Sequence, residues 1–168
     1  EDVLMICDLE KPVGIAGIMG GENSEVAHDT DAIILESANF EGTSIRKNST
    51  RLGLRTEASA RYEKMLDPEL TAVASKRFVK LLRDMQPDVE ITSNLTDKYV
   101  RKHAPVTVTI DKPYIDRYIG NLVSSDEVDR ILRSLEFGVE RAGDTFTIKV
   151  PSFRATKDIS MKADIIEE

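Results

Sequence analysis

The chain has 168 residues, of which 40% are hydrophobic and 32% are charged, and its formal net charge at pH 7 is −7. This length suits one domain or two small ones, because domains usually hold roughly 50–250 residues. No apolar run approaches the ~20 residues of a membrane-spanning helix, so the composition predicts a soluble globular protein. The negative charge argues against bulk electrostatic binding of nucleic acid, which needs clustered Lys and Arg.

Both ends of the sequence have the pattern of secondary structure. The first residues, EDVLMICDLE, lack the basic and long apolar regions of a signal peptide and indicate a strand. The last residues, MKADIIEE, stop within an amphipathic helix pattern, so we interpret both ends as cuts within a longer chain. The single cysteine, Cys7, excludes an internal disulfide, is compatible with a reducing cytoplasm and is predicted to be a buried small hydrophobe.

The first hundred residues begin as a sheet and continue as helices. Apolar stretches separated by turn residues predict strands over 3–7, 13–18 and 32–37. Short helices are predicted over 44–54 and 59–65. A longer helix to residue 85, with apolar residues along one face, follows the N-cap Asp67 and the first helical residue Pro68. Residues 89–99 indicate either an edge strand or an extended segment.

A linker near residue 103 separates a second unit, so we predict domains 1–102 and 103–168. The second domain is expected to contain a strand over 106–110, a helix over 113–119 and a helix from Ser124 or Ser125 to about 136, where Ser124 and Glu127 have the spacing of a capping box. A hairpin returning over 146–150 and a last helix starting near Asp158 complete it. The fold class is therefore α+β, with a winged or helix-turn-helix-like second unit.

Two features of the first half could bind a ligand. Gly20 and Gly21 follow a predicted strand and would let the backbone approach a ligand closely, although a simple tight turn has the same pattern. Their spacing fits neither a dinucleotide-binding fingerprint nor a phosphate-binding loop. Glu36 lies in an apolar run, where an unpaired charge is costly, so it either points outward or has a function.

Residues 45–64 form the one locally basic stretch, which indicates either a solvated helical face or a phosphate contact. The two histidines, His28 and His103, lack the spacing of a zinc site, and no catalytic motif is present. We identify no catalytic side chain, so any hydrolysis would depend on positioning a water molecule.

Four carboxylates lie near the end of the chain: Asp158, Asp164, Glu167 and Glu168. On a helix, Asp164 would lie beside both glutamates, and like charges so placed repel unless a cation is present. Hard oxygen ligands of this kind suit Mg²⁺. The alternative is an acidic, exposed helix N-terminus favoured by the helix dipole.

The runs KPVGIAGIMGGENSEV, ILESANF and RLGLRTEASARYEKMLDP resemble, in order and spacing, the B3/B4 region of bacterial phenylalanine tRNA ligase beta subunits. The segment from VTVTIDKPYIDRYIG through VPSFRATKDISMKADIIEE is similar to the adjoining B5 domain, truncated at its C-terminus. The resemblance implies that the first half of B3/B4 lies upstream of this chain.

In that family, B3/B4 hydrolyses tyrosine wrongly attached to the phenylalanine tRNA. Such editing is needed because an apolar pocket rejects an added hydroxyl only by about 10². The resemblance assigns Glu36 to reading the tyrosine hydroxyl, Gly20 to the backbone approach, and Thr56 and Ala58 to the pocket wall.

The resemblance also implies that Asp158, Asp164, Glu167 and Glu168 bind magnesium together with the alpha subunit. It implies a cytoplasmic heterotetramer of two alpha and two beta subunits that binds tRNA(Phe), with no DNA or membrane partner. ATP is used by that whole enzyme and is not bound by this segment. A non-catalytic RNA- or protein-binding module is the main alternative, and a free-standing deacylase is a third.

Overall fold

The computed structural model describes residues 3–168 and divides them into two compact units, the first ending at Thr96 and the second running from Asp97 to Glu168. The boundary predicted from sequence lay six residues later, after residue 102. Each unit combines an antiparallel sheet with helices, so the predicted α+β class is confirmed. None of the helices within residues 3–168 is long and apolar enough to cross a bilayer.

The first unit starts with a three-stranded antiparallel sheet in the order β1-β2-β3. In its register, Met5 lies opposite Ile15 and Gly14 lies opposite Gly20. The single strand predicted over 13–18 is wrong, because the chain turns after Ile15 and Gly17 adopts a left-handed φ of 66° that a strand cannot contain. The strands are β1 (Met5–Cys7), β2 (Pro12–Ile15) and β3 (Met19–Gly20).

Three helices follow a short 3₁₀ turn at Glu22–Ser24. The carboxylate of Glu41 accepts hydrogen bonds from the backbone N–H groups of Thr43 and Ser44, and this cap starts the first helix. Gly53, with a φ of 67°, ends it. The helices are α1 (Gly42–Leu52), α2 (Glu57–Tyr62) and α3 (Leu70–Met85).

The predicted N-cap of α3 is wrong by two residues, because the observed N-cap is Glu69. The helix starts at Leu70, whereas the expected start was Pro68. Asp67 is buried and its side chain accepts a hydrogen bond from the N–H of Glu69, which closes a turn ahead of the helix.

The strand predicted over 32–37 is also wrong. Its residues form no regular structure, and the side chains of Ile33 and Ile34 are half and fully exposed. A strand needs a neighbour for its backbone hydrogen bonds, and none of β1–β3 pairs with this segment. Residues 89–99 form no strand either, which leaves the extended-segment reading.

The first unit buries few apolar side chains. Within its described residues, the buried hydrophobic side chains are Ala16, Ile18 and Ile45. No residue of α3 is buried, so the apolar face expected for this helix is formed but largely exposed. Cys7 is exposed, which overturns the prediction that it is buried, because a three-residue strand in a small sheet covers only one side.

The second unit has a sheet with the order β4-β6-β5, in which β6 pairs antiparallel with both neighbours. Phe146 and Ile148 of β6 and Ile110 of β4 are fully buried at the centre of the hydrophobic core. The elements are β4 (Val106–Asp111), α4 (Lys112–Ile119), α5 (Ser125–Ser134), β5 (Gly138–Ala142), β6 (Thr145–Val150), α6 (Ser152–Ala155) and α7 (Lys162–Glu167).

Of the two hydrogen bonds of the capping box predicted at the N-terminus of α5, one is present. The Ser124 hydroxyl accepts a hydrogen bond from the N–H of Glu127 at 3.1 Å. The Glu127 carboxylate does not return the bond to Ser124 but pairs with Arg130 at 2.6 Å.

The last helix does not begin near Asp158, so that prediction is wrong. Two short helices replace it, with a turn between them that contains Asp158 and Lys157 at a left-handed φ of 107°. The second of them, α7, begins at Lys162 because the Asp164 carboxylate accepts hydrogen bonds from the N–H groups of Ser160 and Met161.

Candidate functional site

Thr56 fixes the start of α2 against the sheet. Its hydroxyl accepts a hydrogen bond from the N–H of Ser59 at 3.1 Å and donates one to the carbonyl oxygen of Ile18 at 2.6 Å. Ile18 lies in the turn between β2 and β3, and Ser59 is buried. The N-terminal end of α2 is therefore attached directly to the chain segment that leads into β3.

Ala58 and Gly20 lie on these two attached segments. Ala58 is the second residue of α2 and is half-buried, whereas Gly20 ends β3 and is exposed. A Cβ built on Gly20 would meet no atom within 4 Å, so the space beside this backbone is open. An open space next to a small residue is what a ligand ring would require.

The close-packed glycine is Gly17. A Cβ at that position would lie 2.7 Å from Cδ2 of Phe40 and 2.9 Å from Cδ1 of Ile45. The Phe40 ring in turn contacts the Tyr62 ring edge to face, with centroids 5.0 Å apart. Gly17, Phe40 and Tyr62 were not identified as site residues from the sequence. Two of them are close in sequence to residues that were: Phe40 lies four residues after Glu36, and Tyr62 is the last residue of α2, which contains Ala58.

Glu36 is exposed, and its side chain makes no hydrogen bond or ion pair with any residue between 3 and 168. It lies close enough to Tyr62 to act on its ionisation. Burial of the phenol, followed by the negative charge of Glu36, raises the pKa of Tyr62 above its ordinary value. Glu36 is thus an unengaged acceptor carboxylate beside the C-terminal end of α2.

These positions are the candidate site residues: Gly20, Thr56 and Ala58 lie on the attached segments of β3 and α2, and Glu36 lies beside Tyr62 at the other end of α2, with Phe40 against the Tyr62 ring. A free carboxylate can accept a hydrogen bond from a hydroxyl group, and aromatic edges can pack against a ring. The Thr56 hydroxyl is occupied by its two backbone partners, so Thr56 caps α2 and anchors it to the carbonyl oxygen of Ile18.

The basic stretch 45–64 lies on α1, on α2 and on the residues around them. Two of its cations are paired within the stretch, Arg55 with Glu63 at 3.0 Å and Arg61 with Glu57 at 3.5 Å. Arg46 and Lys47 are exposed on α1. A solvated helical face accounts for this arrangement.

The four carboxylates of the second unit are not assembled as a metal site. Arg154 donates hydrogen bonds to Asp158 through Nε and to Glu168 through both terminal nitrogens. Asp164 uses its carboxylate to cap α7, and these backbone N–H groups hold its pKa below the ordinary value. Glu167 is exposed. Among residues 3–168, no three His, Cys, Asp or Glu side chains form a group that could hold a metal ion.

Comparison with known proteins gives two family matches that together span nearly the whole chain. Residues 1–87 match the B3/4 domain and residues 108–168 match the tRNA synthetase B5 domain. The same two domains, in the same order, were expected from the sequence runs.

Relatives along the full chain are phenylalanine–tRNA ligase beta subunits. The one from Clostridium acetobutylicum is 45% identical over 100% of this chain and 21% of its own length. The one from Solibacter usitatus is 40% identical over 98% of this chain and 22% of its own length, and the one from Geobacillus kaustophilus is 39% identical over 100% and 20%. The chain spans about a fifth of the length of these relatives and matches one segment of phenylalanine–tRNA ligase beta subunits. It belongs to the B3/4 domain family, and a tRNA synthetase B5 domain follows the B3/4 domain in its sequence.

Proposed function

We propose that this chain is part of a phenylalanine–tRNA ligase beta subunit and that its first unit contributes to a site that hydrolyses tyrosyl-tRNA(Phe). The whole enzyme would attach phenylalanine to tRNA(Phe) with ATP, and the synthetic chemistry would lie outside these residues. The observation that carries the proposal is the unengaged carboxylate of Glu36 beside α2, whose N-terminal turn carries Thr56 and Ala58.

Glu36 would select tyrosine by accepting a hydrogen bond from its phenolic hydroxyl. Phenylalanine has no hydroxyl, so its ring would displace water from the carboxylate without replacing the hydrogen bond. A hydrogen bond to a charged group contributes about 1.5–3 kcal/mol, which corresponds to roughly 10- to 100-fold in the rate of tyrosine release.

Two small residues would leave room for the tyrosyl ring. The space beside Gly20 is open, and Ala58 extends only a methyl group from α2. Phe40 and Tyr62 form the adjoining aromatic pair. A larger residue at Gly20 would therefore occupy ring space without disturbing the fold.

No side chain of the described first unit is proposed as a nucleophile or general base. Hydrolysis of the ester would depend on a water molecule held by backbone groups and by the RNA itself. This assignment makes Glu36 a specificity residue, and its removal should change which amino acid is released.

The partners proposed for the whole protein are an alpha subunit and tRNA(Phe), in the cytoplasm, as two alpha and two beta subunits. Magnesium shared with the alpha subunit stays a prediction from the resemblance. Arg154 binds Asp158 and Glu168, and the N–H groups of Ser160 and Met161 ahead of α7 bind Asp164, so three of the four carboxylates are already engaged and do not fit a ready magnesium site.

The test places this segment in a complete enzyme. The segment replaces its counterpart in the Clostridium acetobutylicum relative, which is 45% identical to it, and the chimeric subunit is assembled with the alpha subunit of that organism. Hydrolysis of tyrosyl-tRNA(Phe) is measured for the parent chimera and for the variants Glu36→Gln and Gly20→Ala. Asp31→Asn removes another exposed carboxylate from the same irregular segment and serves as the matched control.

We expect the parent and Asp31→Asn to release tyrosine at the same rate. Gly20→Ala should release it at least tenfold more slowly, and Glu36→Gln, whose amide oxygen still accepts a weaker hydrogen bond, should release it severalfold more slowly, with aminoacylation unchanged. If Glu36→Gln releases tyrosine as fast as Asp31→Asn does, Glu36 does not read the hydroxyl. If the parent chimera aminoacylates but never deacylates, the editing function itself is wrong.

A further inference from the structure

A single arginine joins two of the carboxylates that the sequence assigns to a metal site. Arg154 belongs to α6, Asp158 lies in the following turn and Glu168 ends the described chain beyond α7. The guanidinium donates through Nε to Asp158, and through Nη1, at 3.3 Å, and Nη2 to Glu168. One planar cation therefore pairs with two carboxylates through different donor nitrogens.

The contact is more enclosed than the other ion pairs of arginine in this unit. The side chains of Arg154 and Glu168 are 22% and 16% exposed, whereas Arg130 and Glu127 are 66% and 43% exposed. The guanidinium also lies 5.7 Å from the ring centroid of the core residue Phe137. Glu168, followed by Asp158, raises the pKa of Arg154 above its already high value.

We propose that Arg154 is the resident cation of this carboxylate cluster, where it neutralises Asp158 and Glu168 and joins α6 to α7 without a metal ion. The guanidinium supplies donors in the planar geometry that carboxylates prefer. Asp164 lies outside the cluster because its oxygen accepts the N–H groups of Ser160 and Met161. A divalent cation would have to displace Arg154 from two partners to enter.

This inference does not rest on the proposed editing function, because it concerns only residues of the second unit. It predicts that the fold of the unit is independent of magnesium in the wild-type chain. Removing the guanidinium should leave two like charges near each other, and a divalent cation should then restore part of what was lost.

The experiment is a thermal unfolding series on the 168-residue chain in EDTA and in millimolar MgCl₂, with potassium chloride matching the ionic strength. Wild type is compared with Arg154→Gln and with Arg130→Gln, the control that breaks a single exposed pair on α5. Backbone amide NMR spectra record whether Asp158, Asp164 and Glu168 respond to the added Mg²⁺.

For wild type and Arg130→Gln we expect the same Tm in EDTA and MgCl₂ and no saturable shift of those amides. In EDTA, the Tm of Arg154→Gln should be roughly 5–10 °C lower than that of wild type, which is the shift expected when a unit of this size loses one ion-pair contact. In MgCl₂, part of this loss in Tm should be recovered. Saturable Mg²⁺ binding to wild-type Asp158 and Glu168, or an unchanged Tm for Arg154→Gln, would overturn the proposal.

A second comparison covers the case in which Arg154→Gln does not fold. The double variant Asp158→Asn, Glu168→Gln removes both charges that need a counter-ion, and Arg154→Gln is then added to it. The proposal requires Arg154→Gln to lower the Tm of the double variant by less than half as much as it lowers the Tm of wild type. If Arg154→Gln alone does not fold, the proposal requires the triple variant to fold. An equally large loss in both backgrounds would assign Arg154 to packing on Phe137 and refute its role as a counter-ion.

Discussion

Gly17 and Gly20, three residues apart, are predicted to respond oppositely to the same substitution. Gly17 has a φ of 66°, and its added Cβ would lie 2.7 Å from Phe40 and 2.9 Å from Ile45. A left-handed conformation costs an L-residue about 1–2 kcal/mol, overpacking costs about 1–3 kcal/mol, and Gly→Ala returns about 0.4–1 kcal/mol by restricting the unfolded chain. Gly17→Ala should therefore lower the free energy of unfolding of the first unit by about 1–4.5 kcal/mol.

Gly20→Ala is the matched control because its added Cβ meets no atom within 4 Å. Its free energy of unfolding should rise by about 0.4–1 kcal/mol, because Ala restricts the unfolded chain and the backbone at Gly20 has no left-handed φ. Urea unfolding is followed by the backbone amide NMR signals of Ile45 and Ser49, which report on the first unit alone. Equal stability of the two variants would refute the packing assigned to Gly17 and Phe40.

Two further predictions concern the second unit. Glu136, just beyond α5, has a left-handed φ of 68°, so Glu136→Gly should raise the free energy of unfolding by about 0.5–1 kcal/mol in urea unfolding; a loss of stability would contradict this. The hydrogen bond from Lys112, and to a smaller extent the one from the N–H of Val123, lowers the pKa of Asp116 in the folded protein. The stability that this carboxylate contributes is therefore present above its unfolded pKa and is lost as the pH falls through its folded pKa. Asp116→Asn should thus flatten the fall in stability between about pH 5 and pH 2, and an unchanged slope in acid titrations of urea unfolding would exclude the assignment.

The second unit was predictable from sequence as far as β6, because its local signals up to that strand agree with its core; the two short helices after it were not predicted. Val106 to Ile110 alternates, Ser124 caps α5, and the apolar positions of β6 meet those of β4 in one sheet. The twelve buried hydrophobic residues of this core all belong to the second unit, so its pattern is satisfied within the chain.

The first unit was predicted less well because its signals depend on partners that local sequence cannot supply. Ile33, Ile34 and Leu35 have strand composition, yet none of β1–β3 pairs with them and they stay exposed. The apolar face of α3 was foreseen correctly, but periodicity states only that a face exists and not whether it is covered.

The candidate site divides in the same way. Sequence runs placed Glu36, Gly20, Thr56 and Ala58 together by resemblance, and the structure attaches Thr56 to Ile18 and places Glu36 beside Tyr62. The roles of Gly17 and Phe40 could not be predicted, since a left-handed φ and a ring contact across the fold leave no local pattern. The Arg154 pair with Glu168 spans fourteen residues and was missed for the same reason.

The most direct test of the editing assignment is the ratio of the rates at which the chimeric enzyme deacylates tyrosyl-tRNA(Phe) and phenylalanyl-tRNA(Phe). We predict a strong preference for tyrosine that falls severalfold in Glu36→Gln, through slower tyrosine release and unchanged or faster phenylalanine release. A ratio that is the same in both enzymes would contradict the claim that Glu36 reads the tyrosine hydroxyl.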